Sequence, residues 1–375
     1  MKYGVGICRT LDGLVRKNAW QSVVLVADQG IIGLDYFNIV LRLLESVAVV
    51  NLVPVRSSEE PSYDYLDELA GTVRSIEAAD VIVAIGGGSA MDVGKALAAL
   101  RNNPGPAITY RGFDKIKTPP LPSVCIPTTA GTGSEVTINA VFTDKSEMKK
   151  LGINGRYLNA TYAMLDAEWV VNCPRHVAVS SGMDALVHTL ESFMTTNANP
   201  LTRSLNREAF RHLYTNLPCL INAPQDKDRL QLLLLGSYLA AAALFNSGSG
   251  VAGAMSYPIG VHFKVPHGIA GGILIGSVVS HNVDLGYYDY AELLDEVEPH
   301  PGWDLKQKAR RFVEIISALS EYLGVPKTFS QWGIDRDNVE DVVKLMTPMQ
   351  GAFNQNPVPF CADSDARKIL LQHTE

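Results

Sequence analysis

The sequence predicts an α/β domain built on a parallel sheet, followed by an all-α domain. Three observations carry this. Short β-branched apolar runs alternate with helix-like segments up to about residue 100. Strand-length runs then continue, closer together, to about residue 166. Beyond Pro174 they stop, and helical spacing or composition takes over.

In chain order, Ser22–Asp28 (SVVLVAD) is an unbroken β-branched run, the pattern of a strand buried on both faces. A helix is expected over 34–45 and a second strand over 47–55. The polar stretch RSSEEPS, 56–62, breaks the pattern, and a helix follows over 63–79. The run DVIVAI, 80–85, is a third strand, with a helix from about 90 to 100. This β-α-β-α-β-α order makes the sheet parallel, with helices on its faces. After Pro104-Gly105-Pro106, short strands are expected over 123–129, 135–143, 150–154 and 162–166. Helices are expected over 177–193, 201–217, 229–245, 306–323 and 338–346. The boundary falls near 174–178, giving domains 1–176 and 177–375.

Composition narrows the function. Of 375 residues, 47% are apolar and 19% charged, which supplies a sizeable core and argues against disorder. Lys and Arg total 32 against 39 Asp and Glu, a net charge of −7. Such a chain lacks the basic footprint of a nucleic-acid binder or of a protein that docks on anionic membranes. Cysteines stand singly at 8, 125, 173, 219 and 361, without a Cys-x-x-Cys pair. A disulfide framework or zinc knuckle is not expected, and a reducing, cytoplasmic compartment fits. Charges interrupt MKYGVGICRTLDGLVRK too early for a signal peptide. The apolar stretch 230–245 carries Gln231, Ser237 and Tyr238 and falls short of the roughly 20 residues of a membrane span. It reads as a buried helix.

The strongest local motif is Ala84-Ile-Gly-Gly-Gly-Ser-Ala-Met-Asp-Val-Gly-Lys95, a strand running through Gly86, Gly87 and Gly88 into a helix. Glycines permit close backbone approach. The free N–H groups and positive dipole end of a helix suit a pyrophosphate. Ser89 and Asp92 form an S-x-x-D pair able to cap that helix. A ligand-free turn has the same local pattern, but three glycines after a buried strand favour phosphate. Lys95 lies too far into the helix for a Walker A loop, so ATP chemistry is not expected. Asp28, ending the first strand, suits ribose hydroxyls and repels a 2′-phosphate; Asp28-Gln29-Gly30 is equally a good turn. Pro127-Thr-Thr-Ala-Gly-Thr-Gly-Ser134 offers hydroxyls and accessible backbone at a strand end, or is an ordinary loop.

Asp184 and His188, spaced i, i+4, share one helix face and make half of a divalent metal site. The alternatives are a capping box formed by Ser181 and Asp184, and a core histidine. His267, in Pro266-His-Gly268 after the Gly-rich apolar segment 248–264, is a possible third ligand from a loop.

Together these residues resemble the iron-containing (group III) alcohol dehydrogenases, from about Tyr3 to Pro357. The matching blocks are Tyr3-Gly-Val-Gly6, Gly86-Gly-Gly-Ser-x-x-Asp-x-x-Lys95, Pro127-Thr-Thr-x-Gly-Thr-Gly-Ser-Glu-Val-Thr137, Gly182-Met-Asp-Ala-Leu-x-His188 and Pro266-His-Gly268. The resemblance implies a Rossmann-like dinucleotide-binding domain and a helical domain, the dehydroquinate synthase-like architecture. It implies that Gly86, Gly87, Gly88 and Ser89 cradle a pyrophosphate, with Asp92 in the same block. Thr128, Thr129 and Thr132 would approach the nicotinamide half, and Asn139 and Lys150 match further cofactor contacts. Asp28 implies NAD rather than NADP.

The family's metal ligands are Asp, His, His, His. Asp184, His188 and His267 match three of them. Gly253 stands at the fourth position, and Tyr257 replaces a further histidine that the family assigns to substrate or proton handling. His262 as substitute ligand, a three-ligand Fe2+ or Zn2+ site, and a metal-free site of the maleylacetate reductase type with Tyr257 polarising the carbonyl all remain open. The resemblance also expects a short strand ahead of Tyr3, where only Met1 and Lys2 stand. The implied reaction is NAD-dependent hydride transfer between a small alcohol, polyol or sugar-derived substrate and its carbonyl form, in a homodimer or larger homo-oligomer. A dehydroquinate synthase-like lyase and a nucleotide-binding protein without catalysis are the alternatives.

Overall fold

The computed structural model describes residues 1–56 and 60–375, so 57–59, in the middle of the RSSEEPS break, lie outside the described residues. The chain divides into two compact units, Met1–Cys173 and Pro174–Glu375. The expected boundary at 176/177 lies a few residues later, inside the helix that opens the second unit.

Among the described residues of the first unit, the strands are β1 (Lys2–Tyr3), β2 (Ser22–Asp28), β3 (Val49–Val55), β4 (Val81–Gly86), β5 (Gly112–Phe113), β6 (Ser123–Pro127), β7 (Asn139–Asp144), β8 (Lys149–Asn154) and β9 (Tyr162–Leu165). The helices are α1 (Leu11–Lys17), α2 (Asp35–Glu45), α3 (Tyr63–Ser75), α4 (Gly88–Leu100) and α5 (Ala167–Val170). Six strands form a parallel sheet in the order β1-β9-β6-β4-β2-β3. The unbroken apolar runs of β2 and β4 are central, as two-sided burial demands. Their residues alternate between two cores. Val24, Val26, Ile82 and Ala84 pack on the side of α3 and α4, and Val23, Leu25, Val81 and Val83 on the side of α1 and α2. The first strand is only Lys2–Tyr3, which includes the first residue of the Tyr3 block and pairs parallel with β9. Fully buried Asp166 fastens this edge by accepting from Gly6 N (2.8 Å), Cys8 N (2.9 Å) and the Tyr36 hydroxyl (2.6 Å).

A smaller sheet, β5-β8-β7, takes β7 and β8 from the connection between β6 and β9 and β5 from the stretch ahead of β6. Its β7 starts at Asn139, not at 135 as expected, because 128–138 is committed to turns.

The second unit is helical among its described residues: α6 (Arg175–Met194), α7 (Pro200–Asn216), α8 (Cys219–Asn222), α9 (Lys227–Ser247), α10 (Val251–Phe263), α11 (His267–Asp284), α12 (Tyr290–Asp295), α13 (Leu305–Tyr322), α14 (Val339–Met346), α15 (Gln350–Phe353) and α16 (Arg367–Gln372). The buried α6 packs against α7, α9, α10 and α11. The apolar stretch 230–245 lies in α9, which at 21 residues is longer than the sequence suggested and long and apolar enough to cross a membrane. Over half of its most apolar window is buried within the fold, against α6 and α7, as in the core helix of a globular unit.

Candidate active site

In the first unit, β4 ends at Gly86 and α4 starts at Gly88, with Gly87 as cap and no side-chain cap bond. The Ser89–Asp92 capping box is therefore absent. The helix begins one residue before Ser89, which leaves its first N–H groups without a side-chain acceptor. Gly86 and Gly88 are sterically required. A Cβ on Gly86 would lie 3.0 Å from the Asp28 Cβ and 2.6 Å from that of Ala90, and one on Gly88 would lie 2.6 Å from the Thr132 side chain. The same contacts bring Asp28, Thr129 and Thr132 around the turn, and Thr128 donates its N–H to the Gly86 carbonyl at 3.0 Å.

Asp28 serves its turn as well, with Oδ1 accepting from Gly30 N at 2.7 Å. Asp92 faces inward. It accepts from Ser134 Oγ (2.5 Å) and Val141 N (2.9 Å) and pairs with Lys95 (3.1 Å). It thus holds the hydroxyl-rich loop against α4. Asn139 and Lys150 are not brought together. Asn139 pairs with Asn154 and Lys150 with Thr143, at opposite ends of the β7–β8 ladder, and Lys150 forms an ion pair with Glu60.

Two residues of the matching blocks have roles that the sequence did not show. Fully buried Lys95 donates to the carbonyls of Ser134 (2.8 Å), Thr137 (3.4 Å) and Asn139, pinning the loop. Its sequence signals are the i, i+3 pair with Asp92 and its place at the end of the Gly86–Lys95 block. Glu135 is buried beside them, its Oε2 without a hydrogen-bond partner among the described residues. Burial pushes its carboxyl up to about 7.

In the second unit, α6 carries Asp184 and His188, and His267 is the first residue of α11. His188 Nε2 lies 3.5 Å and His267 Nε2 3.8 Å from Asp184 Oδ1. One ligand atom from each residue falls within 4.8 Å of the others, the one such triad of His, Cys, Asp or Glu among the described residues. A carboxylate and two imidazoles suit Fe2+ or Zn2+ and leave coordination positions open. The donor set therefore fits a divalent ion. The capping alternative fails because α6 starts at Arg175, which puts Ser181 and Asp184 in its interior. A satisfied core histidine fails too, since His188 Nδ1 is buried without a hydrogen-bond partner among the described residues.

His267 does not sit in a loop. Segment 248–264 is mostly the helix α10, and α11 starts directly at His267. Gly268 sets the position, because a Cβ there would overlap the Ser180 carbonyl oxygen. Tyr257 of α10 is partly exposed, with its ring 4.8 Å from that of His267. His262 is exposed and lies outside the triad, so the structure does not bring it in as a ligand. At Gly253, where the resemblance leads one to expect a fourth ligand, the Glu191 side chain is packed instead. The Glu191 carboxylate accepts from Gly253 N (2.9 Å), Gly250 N (3.0 Å) and Ser249 Oγ (3.2 Å), and a Cβ on Gly253 would meet its Oε2 at 2.7 Å. Burial holds this carboxyl above the ordinary range, against the pull of those N–H donors. Glu191 joins α6 to the start of α10, and nothing in the local sequence announces it.

The family model for iron-containing alcohol dehydrogenase matches residues 1–167, and the C-terminal model of the Fe-containing alcohol dehydrogenase family matches 178–371. Lactaldehyde reductase of Escherichia coli (strain K12) is 28% identical over 343 residues, covering 90% of this chain and 88% of that protein. Sulfoacetaldehyde reductase of Bilophila wadsworthia is 26% identical over 358 residues, covering 95% and 92%. Among solved structures, a 1,3-propanediol oxidoreductase superposes with a TM-score of 0.92 at 23% identity, covering 99% of this chain and 97% of that one. An alcohol dehydrogenase from Oenococcus oeni gives 0.91 at 23% identity, with the same coverage. At such identity these two speak to the fold alone.

Proposed function

The chain belongs to the iron-containing alcohol dehydrogenase family, and from that premise we propose that it interconverts a small alcohol or polyol and its aldehyde or ketone with NAD, assisted by a divalent metal. The observation that carries this reading is the convergence of Asp184, His188 and His267. Those three residues would hold the ion, which supplies Lewis acidity toward the substrate oxygen. NAD supplies or accepts the hydride. The uncapped start of α4 at Gly87–Ser89 binds the pyrophosphate through backbone N–H groups. Thr128, Thr129 and Thr132 close over the turn, held there by Asp92 and Lys95. The Asp28 carboxylate favours a free ribose 2′-hydroxyl. Tyr257, beside His267, donates its hydroxyl to the substrate oxygen. Relatives named for lactaldehyde and sulfoacetaldehyde support a small aldehyde as the carbonyl form. A cytoplasmic homo-oligomer completes the proposal.

The test is metal content and turnover of the purified protein beside Asp184→Ala, with NADH and a panel of small aldehydes. Near-stoichiometric metal is expected in the wild type. The variant should lose metal and turnover and keep its NADH affinity. Full turnover after exhaustive chelation would replace this reading with the metal-independent one.

A further inference from the structure

A cavity of about 500 Å3 is bordered by α11, α13 and α16. Asp184, His188 and His267 do not line it. Ser277, Ser317, His281, Lys368 and His373 do. His373, at the end of α16, is engaged at both ring nitrogens. Its Nδ1 lies 2.7 Å from the Lys327 carbonyl oxygen, which can only accept, so Nδ1 carries the proton. Its Nε2 lies 2.9 Å from Ser277 Oγ and is therefore the lone pair to which the hydroxyl donates. This is the relation of a nucleophile to its general base, with a carbonyl fixing the tautomer where other such sites use a carboxylate.

We propose that Ser277 and His373 form a second catalytic pair, separate from the dehydrogenase site, which hydrolyses small carboxylic esters. Ser277 Oγ adds to the ester carbonyl carbon while its proton passes to His373 Nε2. The bond to the leaving oxygen breaks, and that oxygen takes the proton from Nε2. Water then adds to the acyl carbon, giving its proton to Nε2. The bond from acyl carbon to Oγ breaks, Ser277 recovers the proton, and the carboxylic acid departs. The developing oxyanion is met by the Lys368 ammonium, which has no ion pair among the described residues. Burial holds the His373 imidazolium below its ordinary range, so the ring is neutral, as a base must be, at neutral pH.

The whole chain is treated with a fluorophosphonate and digested for mass spectrometry, and hydrolysis of 4-nitrophenyl acetate is followed in parallel. The expected result is a phosphonyl adduct on Ser277. Ester hydrolysis should fall about 100-fold or more in Ser277→Ala and in His373→Gln, the size of a general-base contribution. Melting curves of both variants report folding, and Ser277→Ala removes a single oxygen, so it keeps the test alive should His373→Gln unfold. NADH-linked turnover should stay unchanged in Ser277→Ala. A folded wild type without an adduct on Ser277 overturns the proposal. So does ester hydrolysis that survives in Ser277→Ala, which would leave the contact as a clasp between α11 and α16.

Discussion

At the scale of single residues, Glu135 makes the sharpest pH prediction. Burial raises its carboxyl from 4.5 to about 7 in the folded protein. Between those values the unfolded chain has released a proton that the folded chain retains. The folded state binds more protons there, so stability falls as pH rises through the window. Above about pH 7 the full cost is present, on the order of 3 kcal/mol for a shift of that size. Glu135→Gln should abolish this loss. Urea unfolding at pH 5 and pH 8 should show the wild type losing more stability than the variant by about that amount. Equal losses would place the pH dependence elsewhere. Single residues also show what the sequence concealed. The four-residue spacing of Asp184 and His188 put both on one helix face, but it fitted a cap or a core histidine as well, and only the resemblance pointed to a metal. The roles of Lys95 and Glu191 were not legible, because their partners at Ser134 and Gly253 lie tens of residues away and become neighbours only through the fold.

At the scale of elements, most helices with a one-sided apolar pattern were read well, but α1, α10, α11 and α12 were not, and of these α10 shows the reason best. It is apolar all round and rich in small residues, so it carries no helical period, and Pro258 lies inside it. Its neighbour α11 shows why such small residues are there. Gly271 faces Val187, Gly272 faces Met183, and Gly268 lies against the Ser180 backbone. The close packing of α11 on α6 is what carries His267 to Asp184. Gly268→Ala must push the two helices apart. Overpacking of this kind costs about 1–3 kcal/mol of stability. It should also weaken metal binding by roughly tenfold or more, because each 1.4 kcal/mol of misplacement in the bound state is a factor of ten. Competition against a metal-sensing dye, run beside Gly286→Ala as an unrelated glycine change, checks this. Equal affinities in the two variants would mean that Gly268 does not set the ligand geometry.

At the scale of the molecule, the order of elements was legible almost throughout, because a parallel α/β unit and a helical unit differ in the period of their apolar residues. The turns of 128–138 were not, since buried lysine donors rather than local propensity shape them. The division also separates the chemistry. The residues assigned to the nucleotide belong to Met1–Cys173, and those assigned to the metal belong to Pro174–Glu375. Damage to one set should therefore leave the other ligand bound. Gly88→Val would drive a branched side chain into Thr132 and crowd the start of α4. Its NADH affinity, read by nucleotide fluorescence, should fall by roughly tenfold or more, the equivalent of 1.4 kcal/mol, while its metal content stays at the wild-type level. Asp184→Ala should give the converse pair of results. Gly88→Val is the more informative variant, because a nucleotide turn that merely supported the fold would take metal binding down with it. Loss of both ligands in a Gly88→Val protein that still melts cooperatively would defeat the assignment of the turn to the cofactor. Retention of both would show that the nucleotide binds elsewhere.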